Sequence, residues 1–219
     1  MTLRLLRAEF MRLPVDYVLF GFAGMALALS IGLAFDRSVG QDATLIQVVV
    51  IAMIYGATRY AIDRHHRLVS RTILAGHRMP VLAASGVSTA IRGALIGALG
   101  GVASMITFEA TVDSGELRAL FTAVLLSAGT AVMGLGIGVV IPSSFLAPIV
   151  VFAVNVGSAL ILQAWPEAGR WLPLGSTISI ISSEPHDLLP WPLDLTALLG
   201  WFLILGVFTR EVMMRRDFN

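Results

Sequence analysis

The 219-residue sequence contains no cysteine and no lysine. Without cysteine the chain has no disulfides, no thiolate metal sites and no thiol nucleophile. Without lysine it can neither hold nucleotide phosphates in a P-loop nor form a Schiff base through its own side chains. Charge is scarce as well. Charged residues make up 13% of the chain and hydrophobic ones 57%, whereas water-soluble domains are about a quarter charged. This is the composition of a membrane protein. No HExxH zinc motif is present.

A hydrocarbon layer of about 30 Å takes roughly 20 helical residues, and uncharged runs of that order recur along the chain. Tyr17 to Phe35 carries no charge, nor does Ala43 to Thr58 before Arg59. Gly93 to Phe108 lies between Arg92 and Glu109, and Ala119 to Pro166 is uncharged over 48 residues. Pro142, Ser143 and Ser144 divide that last run into two antiparallel helices. Leu195 to Thr209 supplies only fifteen uncharged residues; Trp191 and Trp201 are expected as its interfacial anchors, with Asp194 near the headgroups. The expected fold is one all-α membrane domain, 1–219, with six transmembrane helices at about 17–35, 43–62, 81–109, 119–141, 145–164 and 192–210. Arg59 is expected to lift its guanidinium to the interface, and Arg92 to reach lipid phosphates near the inner boundary of a third helix longer than the bilayer requires.

Six spans place both termini on one side, and arginine chooses the side. Taking residues 1–16, 59–92, 142–144 and 210–219 as cytoplasmic puts twelve arginines inside and three, Arg37, Arg118 and Arg170, outside. The basic N-terminus precedes an apolar run without a small-residue cleavage site, so it reads as a retained segment. Within it Leu3, Leu6, Phe10 and Leu13 share one helical face, with Arg4, Arg7 and Arg12 away from it, which predicts an in-plane amphipathic helix over 1–14 ended by Pro14.

Small residues recur at helix-packing spacing: Gly93, Gly97 and Gly101, then Gly134 and Gly138, and Ala28 with Gly32. Polar side chains inside the spans are few, and Asn155, Ser158 and Gln163 in the fifth make it the candidate wall of a polar path. Between the fifth and sixth spans, WPEAGRWLPLGSTISIISSEPHDLLPW mixes turn formers with Leu174, Ile178, Ile180 and Ile181, which predicts short interfacial or re-entrant helices. Glu184, His186 and Asp187 there read as an ordinary polar loop, not as metal ligands.

One stretch departs from the apolar character of its surroundings. RHHRLVSRTILAGHRMP, residues 64–80, holds four arginines, three histidines and no acid. As a helix it places Leu68, Val69, Thr72 and Ile73 on one side and Arg64, Arg67 and Arg71 on the other; Gly76 ends it, and Pro80 falls in the first turn of the next helix. Contact with anionic lipid accounts for the charge, but not for an apolar face.

The order of these features resembles the ABC type-2 permease family, the six-span membrane subunits of ATP-binding cassette exporters. The chain has an in-plane helix, two spans, and then S-R-T-I-L-A-G-H-R leading into V-L-A-A-S. Trp171-Leu172-Pro173 follows the fifth span, Leu189-Pro190-Trp191 precedes the sixth, and Arg215-Arg216-Asp217 lies near the end. Before Thr72, where the family commonly has glycine, stands Arg71. The resemblance implies that the cytoplasmic helix between spans two and three is a coupling helix, with His66, Arg67, Leu68, Val69, Ser70, Arg71, Thr72, Ile73 and Leu74 docking on a separate ATPase. It also implies a second permease copy, two ATPase chains carrying ATP and Mg, a bacterial inner-membrane location, and short extracellular helices between spans five and six. Neither a cofactor in this chain nor a nucleic-acid partner is implied. The cargo class it suggests is amphipathic or apolar: antimicrobial peptides, drugs or lipids. Two other readings compete with it. One is a membrane assembly or sensor subunit without transport; the other is an intramembrane enzyme, which needs facing acids or a Ser–His pair at membrane depth where the expected spans contain no histidine.

Overall fold

Uncharged runs become helices because lipid offers no partner to a backbone N–H or C=O, so each spanning segment must satisfy its own. The computed structural model describes Arg7, Met11 and residues 16–35, 40–65, 78–108, 114–141, 143–182 and 191–215. Among these residues every element is helical. The helices are α1 (Tyr17–Ala34), α2 (Gln41–His65), α3 (Arg78–Thr107), α4 (Ser114–Val140), α5 (Leu146–Ala164), α6 (Pro166–Gly169), α7 (Pro173–Ile181) and α8 (Trp191–Arg215). Five of them, α2, α3, α4, α5 and α8, are long and apolar enough to cross a membrane; α1 is apolar but shorter. The expected helix over 1–14, apart from Arg7 and Met11, lies outside the described residues. So do the predicted docking residues 66–74 and the loop acids with His186.

Local chemistry sets several boundaries. Pro80 stands in the first turn of α3, where its missing N–H costs nothing. The break between α4 and α5 is capped by Ser143, whose Oγ accepts the Leu146 N–H at 3.1 Å. Charged residues extend several helices past their uncharged cores: Arg59 and Asp63 in α2, Glu116 and Arg118 in α4, and Arg210 to Arg215 in α8.

The core forms where α2 crosses α4, with α3 against α4 and α1 against α2 and α3. Here the small residues act. A Cβ on Gly97 would lie 2.7 Å from Ser127 Cβ, and one on Gly138 2.6 Å from the Ala57 carbonyl, so these glycines let neighbouring backbones touch. The glycines of α1 behave differently. Gly21, Gly24 and Gly32 face open space, and Ala28 is exposed with them.

The segment after α5 does not extend away from the bundle. α7 buries Leu174, Gly175, Ser176, Thr177 and Ile181, and Ile181 packs with Leu45, Val49 and Ala123 from α2 and α4. Before it, the Trp171 carbonyl accepts the Trp201 indole N–H at 2.9 Å. Trp201 lies ten residues into α8, about 15 Å of helix, so the chain turns back that far alongside α8. Two expectations change with this geometry. Trp201 bonds to the chain's own backbone and is no free interfacial anchor, and Asp194 is fully buried, its Oδ2 accepting from Ser179 Oγ at 2.5 Å.

A buried charge cluster and an apolar groove

Asp16 stands where an N-cap belongs, immediately before an apolar helix. Its Oδ1 accepts the Leu19 N–H at 3.1 Å, satisfying one of the free donors at the start of α1. The other oxygen faces the bundle. Asp16 Oδ2 lies 3.0 Å from Arg92 Nε of α3 and 3.5 Å from Arg59 Nε of α2, and it accepts a hydrogen bond from the Tyr55 hydroxyl at 3.3 Å. Arg59 Nη1 reaches Asp63 Oδ1 at 3.3 Å one turn further on. Arg92 also donates to Ser88 Oγ, one turn away in its own helix. Phe22 of α1 closes the apolar side, edge-on to Tyr55 with ring centroids 5.8 Å apart.

The side chains of Asp16 and Arg92 are each 1% exposed, those of Arg59 and Asp63 about 15%. Among the described residues the cluster sets two arginines against two aspartates. This balance decides whether it can exist, because an isolated charge taken from water loses several kcal/mol of solvation while a well-paired one recovers most of it. Both arginines therefore depart from the expected positions. Instead of reaching lipid headgroups, Arg92 is among the most buried side chains, and Arg59 turns inward. The sequence signal was present in Arg59 and Asp63 at i,i+4, and in an acid placed just before an uncharged run. What was missing was the fold that brings Asp16 to Arg92.

The position of the cluster matters as much as its chemistry. Arg59 lies six residues from the end of α2 and Arg92 fourteen from the start of α3, about 9 Å and 21 Å of helix. Both helices continue past the cluster toward residues 66–77. They run out as two arms held at one buried carboxylate.

The three polar residues of the candidate path part company. Asn155 is half-buried, donating to the Val151 carbonyl at 2.8 Å with Met53 Sδ at 3.5 Å. Ser158 is buried and donates to the Val154 carbonyl at 2.7 Å. Gln163 is exposed. Ser158 and Val154 line a groove of about 300 Å³ between α4, α5 and α8, with Met53 and Met133 at its back and Trp201 and Phe208 along its edge. Since the Ser158 hydroxyl is already engaged, this groove offers an apolar surface with soft methionine walls, suited to aliphatic or aromatic groups of varied shape.

No group of three metal-binding side chains occurs among the described residues. The class that composition and fold define is an all-helical membrane protein with several apolar helices of spanning length. Compared with models of known protein families and with curated proteins, the chain matches none.

Proposed function

We propose that the chain is the permease subunit of an ATP-driven exporter, moving an amphipathic or hydrophobic cargo such as an antimicrobial peptide, a drug or a lipid. The observation that carries this reading is the tie from Asp16 to both helices that bracket the basic segment. A force on residues 66–77 displaces the ends of α2 and α3. Because Arg59 and Arg92 share one oxygen of Asp16, α1 must follow them or a buried ion pair must break, and the second outcome is costly. An arrangement of this kind transmits motion from a docking segment to a helix bundle.

In this reading His66 to Leu74 meet a cytoplasmic ATPase that supplies ATP, Mg and the phosphate-binding lysine this chain lacks. α1 serves as the sixth span, joining the five longer helices; both termini lie in the cytoplasm of a bacterial inner membrane. Two permease copies enclose the path, with Asn155 and Ser158 of α5 on its wall. The exposed apolar side of α5, including Phe152, Val156 and Leu160, is compatible with a partner there.

Ile73→Asp places a charge on the apolar face of the docking segment. The expected result is a permease that still inserts but no longer supports cargo-stimulated ATP hydrolysis by its ATPase. Unchanged complex assembly together with unchanged stimulation would reject the docking role. A permease that recruits no ATPase at all would favour an assembly or sensor subunit.

Orientation has its own test. Single cysteines at Ser70 and Ser183 are expected to react with an impermeant thiol reagent from opposite sides, in a chain with no native thiol to confuse the result. Labelling of both from outside would exclude six spans.

A further inference from the structure

α8 is supported unequally along its flanks. Of the spanning helices it packs chiefly on α4, and it touches α3 little. On one side of the α4 contact lies the groove beside Ser158, with α5 across it. On the other lies a second groove, of about 230 Å³, bounded by Leu82 and Gly86 of α3 and by Phe202 and Gly206 of α8. Leu205 borders both grooves.

The seam between α8 and α4 is smooth. Phe202 lies over Gly129 and Thr209 over Gly136, where a Cβ would fall 2.9 Å from the Phe202 ring and 2.8 Å from Thr209 Oγ1. Both spacings are two helical turns, so one line of contact runs along the two helices. The Thr209 hydroxyl has no hydrogen-bond partner and does not pin α8 to α4.

Firmer ties hold α8 near its two ends. At its start Asp194 accepts from Ser179 of α7, and toward its other end Met213 is fully buried beside Tyr60, Leu135 and Val139. Between them stands one bond, from the Trp201 indole N–H to the Trp171 carbonyl. Trp171 belongs to the segment packed on α5, where Gly169 presses on the Leu162 backbone, so this bond keeps the middle of α8 on the α5 side. The two grooves are of similar size, about 300 and 230 Å³, and a shift of α8 from one toward the other exchanges similar amounts of apolar contact. A single hydrogen bond then decides the balance.

We propose that α8 is a strap fixed near both ends, whose middle shifts across the glycine seam of α4 so that the groove beside Ser158 widens as the groove beside Gly86 closes. Trp201 is its catch. Gly86 and Gly206 have nothing within 4 Å of where a Cβ would sit, which leaves room for the movement. The groove beside Ser158 thereby admits bodies larger than its resting volume while α4 stays packed. The device does not depend on a transport role.

The test places a reporter thiol in that groove. Ser158 is buried and lines it, and Ser158→Cys supplies the single thiol of a chain with no native cysteine. Its alkylation by N-ethylmaleimide, followed by intact mass spectrometry on the purified full chain in detergent, reads the opening of the groove. Trp201→Phe should speed alkylation about two- to tenfold, the weight of one net hydrogen bond. Adding Gly86→Leu or Gly206→Leu, which fill the other groove, should return the rate to that of the parent in a protein that still melts cooperatively. The two fillings come from opposite walls and check one another if either fails to fold. An unchanged rate in Trp201→Phe overturns the proposal. So does a faster rate that persists in a folded, filled variant, because a smaller ring at position 201 or a drift of α8 into detergent speeds alkylation whether or not the second groove is open.

Discussion

Asp16→Ala is expected to be the most damaging single change at the charged cluster, lowering stability by about 3–5 kcal/mol, the cost of leaving a buried charge without its partner. The reason is asymmetry. Removing Asp16 takes from Arg92, whose side chain is 1% exposed, the carboxylate that lies 3.0 Å from its Nε. Removing Arg92 instead leaves Asp16 with Arg59, the Tyr55 hydroxyl and the Leu19 N–H. Arg92→Met is therefore expected to cost less, about 1–3 kcal/mol. In the double variant no charge is stranded, since Arg59 keeps Asp63, so its cost should fall below the sum of the singles by about 1–3 kcal/mol. Unfolding of the four proteins in detergent, by a folding-sensitive spectroscopic signal, gives the cycle. Additive effects, or Arg92→Met worse than Asp16→Ala, would show that the carboxylate is not the centre of the cluster.

The same ordering bears on transmission. Arg59→Gln leaves the Asp16–Arg92 pair in place while removing the α2 guanidinium from it, so that α2 holds Asp16 through the Tyr55 hydroxyl. If the two arms act together on α1, this variant should weaken coupling to an ATPase more than it weakens the fold.

Composition and uncharged runs made the helices legible, because lipid admits few alternatives to a self-satisfied helix. The break at Pro142 to Ser144 and the start of α3 near Pro80 were legible for a similar reason, since proline restricts its neighbours whatever the tertiary context. The surroundings of the charged residues were not. Arg59, Arg92 and Asp194 each had two possible environments, headgroup or protein interior, and a single chain read along its length does not say which residues meet across 76 positions, as Asp16 and Arg92 do. Small residues were ambiguous in another way. Gly93, Gly97, Gly134 and Gly138 lie between helices of this chain, whereas Gly32, at the same kind of spacing, meets nothing. Of the candidate path, burial separated Ser158 from Gln163, a distinction that polarity alone did not make.

Gly134→Ala, at the α2–α4 crossing, is expected to disrupt the bundle more than any glycine-to-alanine change outside that crossing. A Cβ there would fall on the Met53 carbonyl oxygen, far inside van der Waals contact, and one on Gly56 of the opposite helix would fall in the same way on the Ala131 carbonyl. Carbonyl oxygens of two helices cannot swing aside as a flexible side chain does. The axes must separate along their length, which loosens the packing of Met53, Ala57 and Met133 and the Thr130 Oγ1 to Val49 carbonyl hydrogen bond of 3.2 Å. Overpacking of this sort costs about 1–3 kcal/mol where the core can adjust and more where it cannot, so the upper end is expected, with Gly134→Leu failing to fold. α1 provides the control. Gly24 meets nothing within 4 Å, and Gly24→Ala should be neutral or stabilising by up to about 1 kcal/mol, the helix preference of alanine over glycine. Melting temperatures of the two alanine variants in one detergent decide the matter: a Gly134→Ala protein as stable as Gly24→Ala would mean that α2 and α4 do not pack backbone to backbone.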